Sequence, residues 1–144
     1  DLVDSFEIKM KEKGIEINYE FGNNKSIFVN ADNFRITQVM SNLIVNSLNY
    51  GVENGTIEIV TKNLSKEKLL VRVIDNGQGI PEDDLPRIFE RFYRVDKTRN
   101  RQEGGSGLGL AIVKHIVEAH NEIVYVESSL NVGSEFSFTL TKSN

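Results

Sequence analysis

Asn42 and Asn46 stand four residues apart in Gln38-Val-Met-Ser-Asn42-Leu-Ile-Val-Asn46-Ser-Leu-Asn-Tyr50. On a helix that spacing stacks the two carboxamides one turn apart on one face. Met40, Leu43, Ile44 and Leu48 around them mark a segment that buries much of its surface, and a buried amide needs hydrogen-bond partners. The pair therefore either satisfies backbone groups in the core or lines a polar cleft and binds something. Downstream, Val73-Ile-Asp75-Asn-Gly77-Gln-Gly79-Ile80-Pro81 sets a carboxylate at the mouth of an apolar strand, followed by two glycines. The glycines let the backbone approach closely, and the carboxylate can accept a hydrogen bond from an amino group. Against a purine, Asp75 would meet the exocyclic amine of adenine and be repelled by the carbonyl of guanine. The plain alternative is an Asp-Asn-Gly turn after a strand.

A third element is Gly104-Gly105-Ser-Gly107-Leu108-Gly109-Leu110, which runs straight into a helical pattern. Such a helix start presents free N–H groups and a positive dipole end, a setting suited to phosphate. It is not a Walker A loop, because no Gly-Lys-[Ser/Thr] follows. It also departs from the dinucleotide fingerprint: the third glycine comes one residue early and a charged loop precedes it. Flexibility at a helix start is the alternative, but four glycines in six residues cost chain entropy unless the backbone does something unusual. The charged stretch from about residue 90 to 105, with Arg87 just before it, carries Arg91, Arg94, Lys97, Arg99 and Arg101. A loop this long in a compact domain is usually a lid or a binding loop. Its cations suit a polyphosphate or an acidic partner, and Phe89, Phe92 and Tyr93 would latch it to the core; a solvated charge run is the alternative. His115 and His120, five apart, fall on different helix faces and are read as structural or surface residues.

The elements that must hold these groups follow from periodicity. Residues 2–13 read as an amphipathic helix ending near Gly14, and 15–21 alternate as a half-buried strand. A short strand at 27–29 precedes Asp32, an N-cap for the helix that runs through Asn42 and Asn46 to about Tyr50. Strands follow at 56–61 and 69–74, then a short helix opened by Pro81 with an acidic first turn. A helix at 107–119 and alternating strands at 123–127 and 136–140 complete the chain. Strands and helices mix without a βαβ repeat, so the expected class is an α+β sandwich, one mixed sheet with helices on one face.

The 144 residues suit a single domain, 1–144, and a net charge of −4 argues against a general nucleic-acid binder. No apolar run is long enough to span a membrane, so no direct membrane contact is expected. No cysteine is present, which excludes disulfides and thiolate metal sites. The chain opens at Asp1 inside a helical pattern, so we expect a piece of a longer protein.

Taken in order, these segments resemble the ATP-binding catalytic domain of bacterial two-component sensor histidine kinases, within the superfamily shared with gyrase, Hsp90 and MutL. Asn42-Leu-Ile-Val-Asn46 resembles the N box, Asp75-Asn-Gly-Gln-Gly79 the G1 box, and Phe89-Glu-Arg-Phe92-Tyr-Arg-Val-Asp the F box. Gly105-Ser-Gly107-Leu-Gly109-Leu resembles the G2 box and Gly133-Ser134 the final glycine motif. Phe92-Tyr-Arg-Val-Asp-Lys is most similar to the phosphate-regulon sensor subgroup.

The resemblance implies a Bergerat-type fold, with five strands in the mixed sheet and three main helices on one face. It implies ATP and Mg²⁺ as ligands, with Asn46 giving the metal an oxygen and Asn42 lining the same cleft. Asp75 would read adenine; Gly77, Gly79 and Ile80 would shape its pocket, with Tyr50 and Tyr93 beside the nucleotide. Gly105, Gly107, Leu108 and Gly109 would cradle phosphates, residues 90–106 would form a lid, and Arg94 would touch the γ-phosphate or the partner domain. The implied activity is transfer of the γ-phosphoryl group to a histidine on a separate helical dimerisation domain, then to a response regulator. The implied setting is the cytoplasmic part of a membrane-anchored kinase.

Three positions depart from the family pattern. Asn49 stands where Lys or Arg usually faces a phosphate, and a lid arginine is the candidate substitute. Asn121-Glu122 replaces a Gly-Gly pair, a change expected to affect only a turn, and Ser134 replaces a Thr. One further position separates branches of the superfamily. Gyrase-like ATPases and serine-kinase anti-sigma factors carry a proton-accepting Glu where this chain has Asn42, which cannot take a proton at neutral pH. The domain thus resembles one that presents ATP instead of hydrolysing it. Neither His115 nor His120 has the sequence setting of the family's phosphorylated histidine. A water-splitting ATPase or serine kinase, and a regulatory module that only holds nucleotide, remain the alternatives.

Overall fold

Six strands pair into one mixed sheet: β1 (Glu16–Phe21), β2 (Val29–Asn30), β3 (Thr56–Asn63), β4 (Lys68–Asp75), β5 (Val124–Ser129) and β6 (Gly133–Lys142). The structure is a computed structural model and describes residue 8 and residues 10–21, 28–93 and 108–143. β1 runs parallel to β3, and the other pairings are antiparallel in the order β1-β3-β4-β6. The far edge of β6 takes β5 along residues 133–138 and β2 at 141–142. The five long strands match the expected sheet, and the two-residue β2 is the sixth.

Two helices are described in full, α1 (Asn33–Asn49) and α2 (Gly109–Ala119). Of the expected N-terminal helix, residues 10–13 are described, and they are helical. Asp32 caps α1 as expected: its side chain accepts the Arg35 N–H at 3.1 Å. The other end of α1 has no basic residue in its last turn. Lys13 supplies the cation from outside, donating to the carbonyls of Leu48 (2.9 Å) and Asn49 (3.0 Å), where a helix end favours positive charge. Apolar spacing then places Val39, Leu43, Ile44 and Leu48 against Val113, Ile116 and Val117 of α2 and the inner row of the sheet.

That inner row decides the site. Period two sends Leu69, Val71 and Val73 of β4 into the core, and the next residue in the row is Asp75. On β6 the row is Leu140, Phe138 and Phe136, ending at Ser134. Asp75 and Ser134 are register partners. Two apolar rows thus leave the core side by side and finish in a carboxylate and a hydroxyl.

The Asn121-Glu122 departure does more than alter a turn. Asn121 takes the left-handed conformation (φ 59°) after α2, and the Glu122 N–H reaches back to the Val117 carbonyl at 3.0 Å, the helix-ending bond of a Schellman motif. The Glu122 side chain, 3% exposed, then receives Lys68 Nζ at 2.8 Å and the hydroxyls of Thr139 and Thr141 at 2.7 Å each. Burial pushes this carboxyl up, but the Lys68 bond and the two hydroxyls outweigh it and the net direction is down. A depressed carboxyl stabilises the fold above its unfolded value of about 4.3 and loses that contribution as pH falls through the folded value. We expect Lys68→Met to cost about 1–3 kcal/mol at neutral pH, because a buried carboxylate loses its cation. In urea unfolding that cost should shrink at pH 3; an equal cost at both pH values would contradict the ion pair's role.

Candidate functional site

The cleft opens where α1, the ends of β4 and β6, and the start of α2 converge. Asn46 and Tyr50 line it from α1, and Asp75 and Ser134 from the sheet. Gly109 and Leu110 close it at the first turn of α2, while Gly79, Ile80, Ile88 and Tyr93 form the remaining wall. The cleft is open to solvent, and its space amounts to about 680 Å³ with the open mouth included.

Asp75 is 7% exposed. Burial pushes its carboxyl above the usual range, against hydrogen bonding from Gly77 N–H, the Ser47 hydroxyl and Ser134 N–H. The Gly77 bond is well formed, with N–H to Asp75 Oδ1 at 2.9 Å. The Ser47 Oγ lies near enough to favour the charged form but makes no hydrogen bond of regular geometry. A carboxylate has about four acceptor positions, so Asp75 retains capacity toward the cleft.

The loop after Asp75 is held on both sides. Gln78 N–H bonds to the Tyr50 carbonyl (3.0 Å), and the Asn131 N–H bonds to the Gln78 carbonyl (2.7 Å). Ile80 N–H bonds to Ser128 Oγ at 2.8 Å, and that hydroxyl lies 2.8 Å from Ser134 Oγ. Gly77 packs so closely that a Cβ there would sit 2.4 Å from the Tyr50 carbonyl oxygen. Asn76 is structural: its Oδ1 accepts the Thr56 N–H at 2.8 Å at the start of β3.

The short helix after Pro81 is a 3-10 segment, Glu82–Arg87. Phe89 anchors its end by an edge-to-face contact with Phe136, ring centres 6.2 Å apart. Tyr93 is held by its hydroxyl, which donates to Asp84, and by the Arg87 guanidinium 4.6 Å above its ring. That bond to Asp84 pushes the Tyr93 hydroxyl up from its ordinary value. Phe92 does not latch the loop to the core as expected. It is 69% exposed at φ 64°, so Phe89 and Tyr93 carry that role alone.

Of the residues singled out by sequence, the cleft brings together Asn46, Tyr50, Asp75, Gly79, Ile80, Tyr93 and Gly109. Gly77 stands behind Asp75, and Leu108 is the residue that precedes α2. Asn42 lies one turn below Asn46, beside the cleft residue Gly109, with its Nδ2 buried and unpaired among the described residues. Asn49 is buried at the end of α1, outside the set of residues that line the cleft. Arg94, Gly105, Gly107 and residues 94–106 of the expected lid lie outside the described residues. Sequence reasoning missed Ile88, Leu110 and Ser134 as cleft residues. The signal for Ser134 was its place in the Phe136–Phe138 alternation, which gains meaning only once β6 is paired with β4. His120 is structural, as expected: its Nε2 accepts the Asp32 N–H at 3.1 Å, so its proton sits on Nδ1, 2.9 Å from the Ile116 carbonyl.

With this geometry in place, comparison with known proteins is decisive. A family profile described as histidine kinase-, DNA gyrase B-, and HSP90-like ATPase matches residues 31–144. The chain belongs to this family. It is 40% identical over 140 residues to the sensor histidine kinase WalK of Bacillus subtilis (strain 168), covering 96% of this chain and 23% of WalK. The chain thus spans about a quarter of the length of that relative.

Among solved structures, the nucleotide-free catalytic domain of the histidine kinase ThkA superposes with a TM-score of 0.80 at 32% identity, covering 98% of this chain and 88% of that one. ThkA has also been solved in complex with the response regulator TrrA (TM-score 0.76, 30% identity, 99% and 38% covered). Full-length ShkA in complex with AMPPNP superposes with a TM-score of 0.81 at 29% identity, covering 99% of this chain and 30% of ShkA. The expected α+β class and the family both stand.

Proposed function

We propose that the cleft binds Mg-ATP and that the chain donates the γ-phosphoryl group to a histidine on a separate helical dimerisation domain. The observation that carries this is Asp75, a carboxylate buried at the end of an apolar strand row and open to a cleft, in a chain of an ATPase family. On this reading Ile80, Ile88 and Leu110 offer apolar surface to an adenine ring, and its amino group would donate to Asp75. Tyr50 and Tyr93 flank the same space.

The phosphate end is set by α1 and α2. Gly109 lines the cleft at the start of α2, where free N–H groups suit phosphate, and Leu108, Gly105 and Gly107 belong to the same stretch. Among the described residues no group of three His, Cys, Asp or Glu could hold a metal. A cation held mainly by phosphate oxygens and one protein oxygen suits magnesium, and Asn46 is the residue that would give it. Bound there, Mg²⁺ would neutralise phosphate charge. Arg94 and the lid complete this reading, with Arg94 directed to the γ-phosphate or the partner domain.

Asn42 in place of a general base fits a site that holds ATP for a partner. The chain's residues bind, orient and screen. The acceptor imidazole nitrogen attacks the γ-phosphorus, the bridging P–O bond to the β-phosphate breaks, and ADP leaves. The imidazole proton passes to a base on the partner domain. Catalysis by the chain is then positioning and charge neutralisation. The WalK likeness supports a kinase, and the ThkA–TrrA complex supports a response regulator as the next acceptor. The same reading gives the chain a cytoplasmic place in a membrane-anchored sensor; among the described residues, no helix is long and apolar enough to cross a membrane.

A second reading, a module that only holds nucleotide, draws on Asn49, which puts no cation at the cleft. Mixing the chain with the helical domain of its kinase and γ-labelled ATP separates them. We expect base-stable, acid-labile phosphohistidine on the helical domain. Binding without transfer would favour the second reading, and steady hydrolysis by the chain alone would favour an ATPase.

A further inference from the structure

Two buried polar atoms on α1 lack partners among the described residues, and they complement each other: Gln38 Oε1 is an acceptor and Asn42 Nδ2 a donor. Four residues separate them, so they stand one turn apart on one face, where Gln–Asn side-chain pairs form. Asn46, which lines the cleft, is the next member of that stripe. Asn42 itself lies against the start of α2, its Cγ 4.0 Å from where a Cβ on Gly109 would be. A buried amide left unpaired keeps its desolvation penalty, so joining the two is favourable wherever a rotamer change brings them within reach. The pairing also has a direction. With Nδ2 turned toward Gln38, Asn42 must turn its Oδ1 the other way, toward the Asn46 end of the stripe.

We propose that Gln38 is a positioning residue of the nucleotide site, holding the Asn42 amide so that its oxygen, and not its NH₂, faces the metal side of the cleft. This rests on the Mg-ATP reading above. Water molecules around a hard cation donate hydrogen bonds outward, so an acceptor beside Asn46 supports them and an NH₂ group opposes them. Gln38 touches neither nucleotide nor metal and acts through Asn42.

Calorimetric titration with ATP, in magnesium and in EDTA, tests this on the wild type, Gln38→Met and Gln38→Glu. Met keeps the length and removes the acceptor, whereas Glu keeps an acceptor oxygen. Gln38→Met should lose about 3- to 10-fold in magnesium, the equivalent of one neutral hydrogen bond, and nothing in EDTA. Gln38→Glu should not lose affinity. Gln38→Asn, a methylene too short to reach Asn42, should repeat the magnesium-specific loss and serves if Gln38→Met does not fold. Unchanged affinity in magnesium, or an equal loss with and without the metal, overturns the proposal while leaving the nucleotide site standing. A wild-type chain that binds no ATP overturns the nucleotide reading itself.

Discussion

Asp75→Asn should weaken ATP binding by about 1.5–3 kcal/mol, the value of a hydrogen bond to a charged group, or roughly 10- to 150-fold. The fold should not suffer. Asp75 is buried, and burial raises its carboxyl above the usual range. A raised carboxyl favours the folded state fully below its unfolded value of about 3.9, and that contribution is lost as pH rises through the folded value. At neutral pH the charge is therefore a cost to folding. Asn carries no charge and can still accept the Gly77 N–H now bonded to Asp75 Oδ1. Urea unfolding at pH 7 should show the variant as stable as the wild type or more so, with the gap closing toward pH 3. Unchanged ATP affinity would remove Asp75 from the adenine site. A parallel fall in stability and affinity would make its role structural.

Gly79→Ala should do the opposite and damage fold and site together. Gly79 sits at φ 74°, and a Cβ there would lie 2.1 Å from the backbone oxygen of Ser129. The left-handed conformation costs a non-glycine residue about 1–2 kcal/mol. The overlap is with backbone, so either the loop or the β5–β6 hairpin must move, and overpacking of this kind typically adds about 1–3 kcal/mol. Any such movement strains the Asn131–Gln78 and Ile80–Ser128 bonds and displaces Ser134, which lines the cleft. We expect an unfolding penalty of about 3 kcal/mol and a clear loss of ATP affinity. A variant that unfolds at the wild-type urea midpoint would show that this close approach is not needed.

Much of this architecture was legible in the sequence because the strong signals are local. Asp32 before an apolar period of 3.6 marks α1, and the alternation from Leu69 to Val73 marks β4 and points Asp75 inward. Glycines at 77 and 79 announce a backbone constraint, although only the structure shows that the constraints are Tyr50 and Ser129. What stayed hidden is what depends on pairing. Nothing local shows that Asp75 and Ser134 are cross-strand neighbours, that Lys13 caps α1, or that Glu122 reaches Lys68 from 54 residues away. Glu122 is the clearest case. A substitution that reads as a turn change is a buried carboxylate paired with a half-exposed lysine, because the partner lies on another strand.

The reading stands or falls on titration calorimetry of the chain with ATP, ADP and GTP, each with and without magnesium. The account predicts saturable uptake of one nucleotide per chain for ATP and ADP, tighter ATP binding with magnesium, and much weaker GTP. Absence of saturable heat with ATP up to millimolar concentration, or GTP bound as well as ATP, would contradict an adenine site built on Asp75.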